Sequence, residues 1–382
     1  MEELTQEYLY GKVMSVVDRL LNLGGGEYQK DKNSDKDSHT KGQVERDFGI
    51  EEWDWPQGVG LLGLVKLQNH FQDSRYDNFL SDWFQRNFKT GLPSRNVNTT
   101  APFMTLLDFA ERTDHEGYTH ECQKQAQWLI ENLPKTKENG FQHVVSGIGD
   151  RQAVCLNDGQ LWVDTIFMAV LFLNAYAQKY QVPAYAQEAT HQILLHIKYL
   201  YEKECGLFYH GWSFIRNDNF GKVFWCRGNA WFTLGITEFL SQDGTCPLEK
   251  GVKRYLIDTY LAQVSALAKL QTQSGLWTTV LNDTSSYEEV SGSAGITAGI
   301  YRGLRLGLLD DSYEAVADKA ITAICKNIAS DGTVGNVSAG TVIGMDSQAY
   351  QRILIRPMAY GQALVLIALT EALGRKNKYT KE

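Results

Sequence analysis

Apolar residues recur with a helical period along almost the whole chain. At the N-terminus Leu4, Leu9, Val13, Val16, Val17, Leu20 and Leu21 fall mostly three and four positions apart, as one face of an amphipathic helix does. Residues 24–45 are polar, charged and rich in Asp, Lys and Ser, which predicts a long loop. Two kinds of segment then alternate. Those of the first kind open on small or polar residues and become apolar nearly all round. They begin near Trp55-Pro56-Gln57-Gly58, Thr100-Ala101-Pro102, Gln160-Leu161-Trp162, Cys226-Arg227-Gly228-Asn229, Ser291-Gly292-Ser293-Ala294 and Arg356-Pro357-Met358-Ala359. Between them lie helices with a clear polar face, at about 76–87, 118–132, 184–202, 248–271 and 313–329.

A helix apolar on all sides is covered on all sides, whereas a helix with a polar face lies outside. With the N-terminal helix the pattern therefore predicts six inner and six outer helices, an all-α (α/α)6 barrel formed as one domain over residues 1–382. The inner starts recur at roughly 45 to 65 residues, too unevenly for a solenoid. Their polar, glycine-bearing starts gather at one end of such a ring, where loops and helix N-termini build sites on a rigid scaffold. Strand signals are few; Gly206-Leu207-Phe208-Tyr209-His210 and residues 275–280 read as hairpin arms.

Composition narrows the function. Hydrophobic residues make up 43% of 382, enough for a large core, and the net charge of -8 argues against nucleic acid or an anionic membrane as partner. Six cysteines, Cys122, Cys155, Cys205, Cys226, Cys246 and Cys325, form no C-x-x-C pair, as expected of reduced thiols in a cytoplasmic protein. The start Met1-Glu2-Glu3-Leu4 lacks the basic and apolar regions of a secretory signal, and the apolar runs 165–178 and 357–370 are too short to span a bilayer. The expectation is a soluble monomer or small homo-oligomer. No metal or cofactor is called for. His115 and His120 do not make an H-E-x-x-H, Gly24-Gly25-Gly26 lacks the rest of a phosphate loop, and no G-x-S-x-G occurs.

The predicted loop end of the barrel concentrates tryptophan, histidine and arginine. It offers Trp53, Asp54, Trp55 and Gln57, then Asn96, Asn98, Thr99 and Thr100, then His143, Trp162 and Asp164. His210, Gly211 and Trp212 follow, with Trp225, Arg227, Asn229 and Trp231 beyond them. Asp164 stands beside Trp162 at the mouth of an apolar run. Burial there raises a carboxyl pKa and favours a proton donor, while a helix N-terminus pulls the other way. Indole walls with a few convergent polar groups suit a sugar ring, and the planar fork of Arg227 suits a carboxylate. An acidic sugar is the ligand these residues point to.

Trp53-Asp54-Trp55-Pro56-Gln57-Gly58-Val59-Gly60, Gln160-Leu161-Trp162-Val163-Asp164-Thr165, Tyr209-His210-Gly211-Trp212, Trp225-Cys226-Arg227-Gly228-Asn229-Ala230-Trp231 and Arg356-Pro357-Met358-Ala359-Tyr360-Gly361-Gln362-Ala363 resemble glycoside hydrolase family 105, the unsaturated rhamnogalacturonyl and related uronyl hydrolases. The resemblance runs from about Trp53 to Leu373 and implies an (α/α)6 barrel. It implies hydration of the C4=C5 bond of a 4,5-unsaturated uronyl residue at the non-reducing end of a lyase-generated oligosaccharide. Asp164 falls on the catalytic acid, and Trp162, His210, Arg227 and Trp231 fall around the uronyl ring, with Arg227 or His210 receiving the carboxylate. Trp53, Asn98, His143 and Trp225 complete the expected binding residues. Asn98 stands near a position where many members carry a second aspartate, and asparagine cannot donate and recover a proton. Either an unsaturated galacturonyl-rhamnose or an unsaturated glucuronyl substrate is compatible.

Two other readings fit parts of the chain. Gln271-Thr272-Gln273-Ser274-Gly275-Leu276-Trp277 fits the Q-x-x-x-G-x-W turn of isoprenoid-cyclase-like barrels, without their D-D-x-x-D cluster. A non-catalytic barrel that binds acidic sugars is the other.

Overall fold

A computed structural model describes residues 4–24, 49–147 and 151–378. The polar loop expected at 24–45, and with it the triple glycine, lies outside the described residues except for Gly24. Six helices close an inner ring, each packing on the next: Trp55–Phe71, Pro102–Thr113, Leu171–Tyr180, Cys226–Ser241, Val290–Arg305 and Ala359–Lys378, the last returning to the first. Around them lie Gln6–Leu21, Asp77–Thr90, Glu116–Glu131, Pro183–Leu200, Lys250–Leu270 and Glu314–Lys326. This is the expected (α/α)6 barrel. Burial follows the two sequence patterns. Asp77–Thr90 buries one stripe, Leu80, Trp83, Phe84 and Asn87, while every residue from Val290 to Leu304 is buried.

The ring is tight where its residues are small. A side chain at Gly295 would meet Ala230 Cβ at 2.8 Å, and one at Gly299 would meet the Thr233 carbonyl oxygen at 2.7 Å. Glycine there lets the fourth and fifth inner helices approach backbone to backbone. Two of the starts, the first and the fifth, are capped by an acid just before the helix. Asp54 accepts the Trp55 N–H at 2.7 Å ahead of Pro56, and Glu289 accepts the N–H groups of Ser291 and Gly292 at 3.1 and 2.6 Å.

At the opposite, C-terminal end of the ring, four inner helices are joined by charge. Glu238 lies 2.7 Å from Lys66 and 2.6 Å from Arg302, and Arg302 lies 3.7 Å from Glu371. Burial opposes ionisation of Glu238, but Arg302 and Lys66 outweigh it and hold the carboxyl down at about 2. The Gln271–Trp277 turn is structural. Gln271 Nε2 donates to the Gly275 and Val316 carbonyls, both at 2.9 Å, and Trp277 Nε1 donates to the Leu267 carbonyl at 2.7 Å. Gly275, at φ 108°, sits against the Lys319 backbone.

Both expected hairpin arms form, each in two-residue pairs: Tyr201–Glu202 with Leu207–Phe208, and Trp277–Thr278 with Glu288–Glu289. The third inner helix departs from expectation. Gln160–Trp162 is a strand, and helix begins only at Asp164. Two short helices, Val97–Thr100 and Ser347–Gln351, were not expected. Among the described residues no helix is long and apolar enough to cross a membrane.

Candidate active site

The strand at Gln160–Trp162 is what assembles the site. It pairs antiparallel with Gly211–Ser213, Trp162 opposite Gly211, and the Val163 N–H donates to the His210 carbonyl at 3.0 Å. Two sequence-distant motifs are thereby locked in register, and the next residue, Asp164, comes to lie against His210. A side chain at Gly211 would collide with Ile343 and with the Leu161 carbonyl at 2.8 Å, so the pairing requires glycine there. Directly after Asp164 and Thr165 the helix widens into a π-turn over Ile166–Val170, a distortion common at functional sites.

Asp164 has a side chain 17% exposed, with Oδ2 3.3 Å from His210 Nε2. The two atoms face each other without the alignment of a full hydrogen bond, and neither has another partner. Burial alone raises the Asp164 pKa, yet the neighbouring His210, His143 and Arg227 reverse this and leave it below the usual carboxylate range. These neighbours, rather than a helix N-terminus, favour the anion in the free site. His143 stacks on Trp162 at 4.2 Å with planes 12° apart, and its Nδ1 lies 2.8 Å from Thr165 Oγ1. Burial pushes His143 down to about 3, so it is neutral at physiological pH. Trp162 also meets His210 edge to face at 5.2 Å, and it donates from Nε1 to Gln160 Oε1 at 2.8 Å.

Arg227 corrects an expectation. Its fork is not offered to a ligand: Nη1 donates to Ser291 Oγ at 3.1 Å and to the Ser338 carbonyl at 2.9 Å, and Nη2 donates to the Ala339 carbonyl at 2.9 Å. The guanidinium, 1% exposed, is sandwiched between Trp225 and Tyr360 and lies 3.8 Å from the fully buried Glu289. Of its three nitrogens Nε alone, also buried, has no partner. Trp225 stacks obliquely on His210 at 4.3 Å, and the indole N–H groups of Trp225 and Trp231 are likewise buried without a partner.

Trp53 lies elsewhere than expected. It belongs to an aromatic cluster with Trp83, Phe84, Phe88 and Phe103 and donates to the Thr99 carbonyl at 2.9 Å, which supports the short Val97–Thr100 helix from behind. Half-buried Asn98 sits on that helix, which is closed by a capping box between Asn96 and Thr99 and tied to the His143 segment by Val97 N–H to the Val144 carbonyl, 2.9 Å. Trp55, two residues after Trp53, is a partly open indole; it stacks on Tyr360 at 4.4 Å and meets Trp231 edge-on at 6.1 Å. Tyr350 was missed altogether, although its hydroxyl lies 2.7 Å from His210 Nδ1. No motif marks it, and it stands 140 residues from its partner. Among the described residues no group of three or more His, Cys, Asp or Glu is arranged to hold a metal ion.

A double ring of helices with an acid, two histidines and indoles at one mouth defines the class, an (α/α)6-barrel glycosidase. The chain belongs to Glycosyl Hydrolase Family 88, whose model matches residues 29–376. It is 30% identical over 338 residues to the unsaturated rhamnogalacturonyl hydrolase YesR of Bacillus subtilis, covering 88% of this chain and 94% of that one. It is 32% identical over 306 residues to an unsaturated 3S-rhamnoglycuronyl hydrolase of Formosa agariphila, covering 75% and 77%. A crystal structure from Salmonella enterica, described as a possible member of the GH105 family, superposes with TM-score 0.88 at 35% identity, covering 99% of this chain and 96% of that one. The resemblance to family 105 in the motifs is borne out by these relatives.

Proposed function

We propose that this chain removes a 4,5-unsaturated uronyl residue from the non-reducing end of lyase-generated oligosaccharides by hydrating the C4=C5 bond, with Asp164 as the acid. The observation that carries this reading is the Asp164 carboxylate held against His210, two residues after Trp162. A glycosidase that attacks the anomeric carbon uses a pair of carboxylates. One suffices here because the substrate is an enol ether: protonation at C4 leaves an oxocarbenium-like centre at C5, water adds there, and the hemiketal opens to release the aglycone. The same aspartate gives a proton and takes one back from the water.

Asp164 is an anion in the free site, so substrate must supply the change that protonates it. The uronyl carboxylate is a like charge brought close, and like charge raises a carboxyl pKa. The buried, unpaired N–H groups of Arg227, Trp225 and Trp231 are the donors we assign to that carboxylate, in place of the Arg227 fork. Trp55 and Trp162 are the rings we assign to the sugar faces, with Asn98 on a hydroxyl or on water. Both named relatives act on rhamnose-containing uronides by their names, and we take uronyl-rhamnose as the substrate unit. Six free cysteines support a reducing, cytoplasmic setting. We take the barrel to act as one catalytic domain, as a monomer or small homo-oligomer.

The conjugated double bond absorbs in the ultraviolet, and hydration bleaches it. A panel of lyase-generated disaccharides differing in uronic acid and aglycone should lose absorbance with the protein, fastest for a rhamnose aglycone. Binding without bleaching across the panel would leave a non-catalytic sugar-binding barrel instead. Asp164→Asn should lower turnover roughly 10²–10⁴-fold with binding retained; undiminished turnover removes Asp164 from the role.

A further inference from the structure

The surroundings of His210 specify which of its nitrogens carries the proton. Its ring is 2% exposed and held at one end: Nδ1 lies 2.7 Å from the Tyr350 hydroxyl, while Nε2 faces Asp164 Oδ2 at 3.3 Å. The Tyr350 oxygen accepts the Gly344 N–H at 3.1 Å, which leaves its hydroxyl hydrogen free to point at Nδ1. Burial, larger than any other influence, pushes the Tyr350 pKa well up, so the phenol keeps that hydrogen. With Nδ1 accepting, Nε2 bears the proton and turns it toward the carboxylate. The opposite tautomer would set a nitrogen lone pair against the Asp164 oxygen and leave the phenol hydrogen without an acceptor.

We propose that Tyr350 is a positioning residue for the reaction, acting through His210 by holding the imidazole in its Nε2–H tautomer against Asp164. This rests on the reading of Asp164 as the acid for its kinetic consequence, but not for the tautomer itself. Local sequence is built to keep the hydroxyl in place. Asp346 caps the Ser347–Gln351 helix by accepting the Ala349 N–H at 2.8 Å, and that helix carries Tyr350, 1% exposed, against Trp225 at 6.0 Å. Any side chain at Gly344 would meet Ala349 Cβ at 2.7 Å and Tyr350 Cε2 at 2.8 Å, so only glycine brings its N–H to the phenol. The same loop lays Ile343 on Gly211, in the strand that follows His210.

Tyr350→Phe keeps the ring and deletes only the hydroxyl. The test uses protein with 15N-labelled imidazoles, the His210 signals assigned by their loss in His210→Gln, measured without substrate. In the parent protein Nδ1 should resonate as an unprotonated nitrogen and Nε2 as an N–H; in Tyr350→Phe the two should move toward an average of tautomers. Turnover of the unsaturated disaccharide should fall at least about tenfold with KM within about twofold. Gly344→Ala, which pushes the loop from the phenol, should move the signals in the same direction. A parent His210 that is the Nδ1–H form or doubly protonated overturns the proposal, as does a Tyr350→Phe that slows turnover while leaving the tautomer unmoved. If the parent hydrates no unsaturated uronide, the functional reading falls, while the nitrogen shifts still decide this one.

Discussion

Replacing Arg227 by Met tests whether the guanidinium belongs to the fold or to the ligand. Met has a similar reach and keeps the apolar stack between Trp225 and Tyr360. It removes the donors to Ser291 and to the carbonyls of residues 338 and 339, and leaves Glu289, fully buried, without its cation. Breaking one side of a buried pair costs about 3–5 kcal/mol, because the remaining charge stays desolvated. Glu289 keeps its donors from Ser291, Gly292 and Ser338, which points to the lower half of that range. A chain of 382 residues has an unfolding entropy of roughly 0.8 kcal/mol per kelvin, so the melting temperature should drop by roughly 4–5 °C. Scanning calorimetry on both proteins, with bleaching kinetics alongside, checks this; kcat and KM should both worsen because residues 338–339 lose their anchor and the Nε–H assigned to the substrate carboxylate is gone. A variant that melts within about 1 °C of the parent and changes only KM refutes the reasoning and returns Arg227 to the role of a plain carboxylate receptor.

Other expectations follow from the charges. Glu238 is held at about 2 against an ordinary 4.5, so its contribution is intact above pH 4.5 and is lost as pH falls toward 2. That loss is about 3 kcal/mol, seen as a falling urea midpoint, and Glu238→Gln should flatten this limb; a parent midpoint that is level from pH 5 to 2.5 contradicts the pairing. Because Asp164 is ionised in the free site, binding of a saturated uronyl-rhamnose analogue at pH 7 should take up a fraction of a proton. Titration calorimetry in buffers of different ionisation enthalpy reads this directly, and proton release would overturn the charge argument.

Helices were legible in the sequence to the degree that burial alone determined them. The fourth inner helix begins at Cys226, where the motif placed it, because Trp225 is extended and small residues follow. The third start was misread because Gln160–Trp162 is a strand only by virtue of Gly211–Ser213, a partner some 50 residues away with no alternating pattern of its own. The site divided along the same line. Asp164, Trp162 and His210 come together from two of the motifs, and His143, which no motif marked, stacks on Trp162. Arg227 was identified as present and misjudged as free, since the carbonyls that occupy it lie 111 and 112 residues further on. Trp53 carries the same residue type as a platform but faces a cluster of four other rings, which no local spacing reveals.

The ions joining Lys66, Glu238, Arg302 and Glu371 have a consequence for the catalytic end of the barrel. They tie the first, fourth, fifth and sixth inner helices into one unit at the end away from Asp164. Cutting any one of them therefore loosens several walls at once, and the damage travels along the helix axes as lost alignment rather than as a lost contact with sugar.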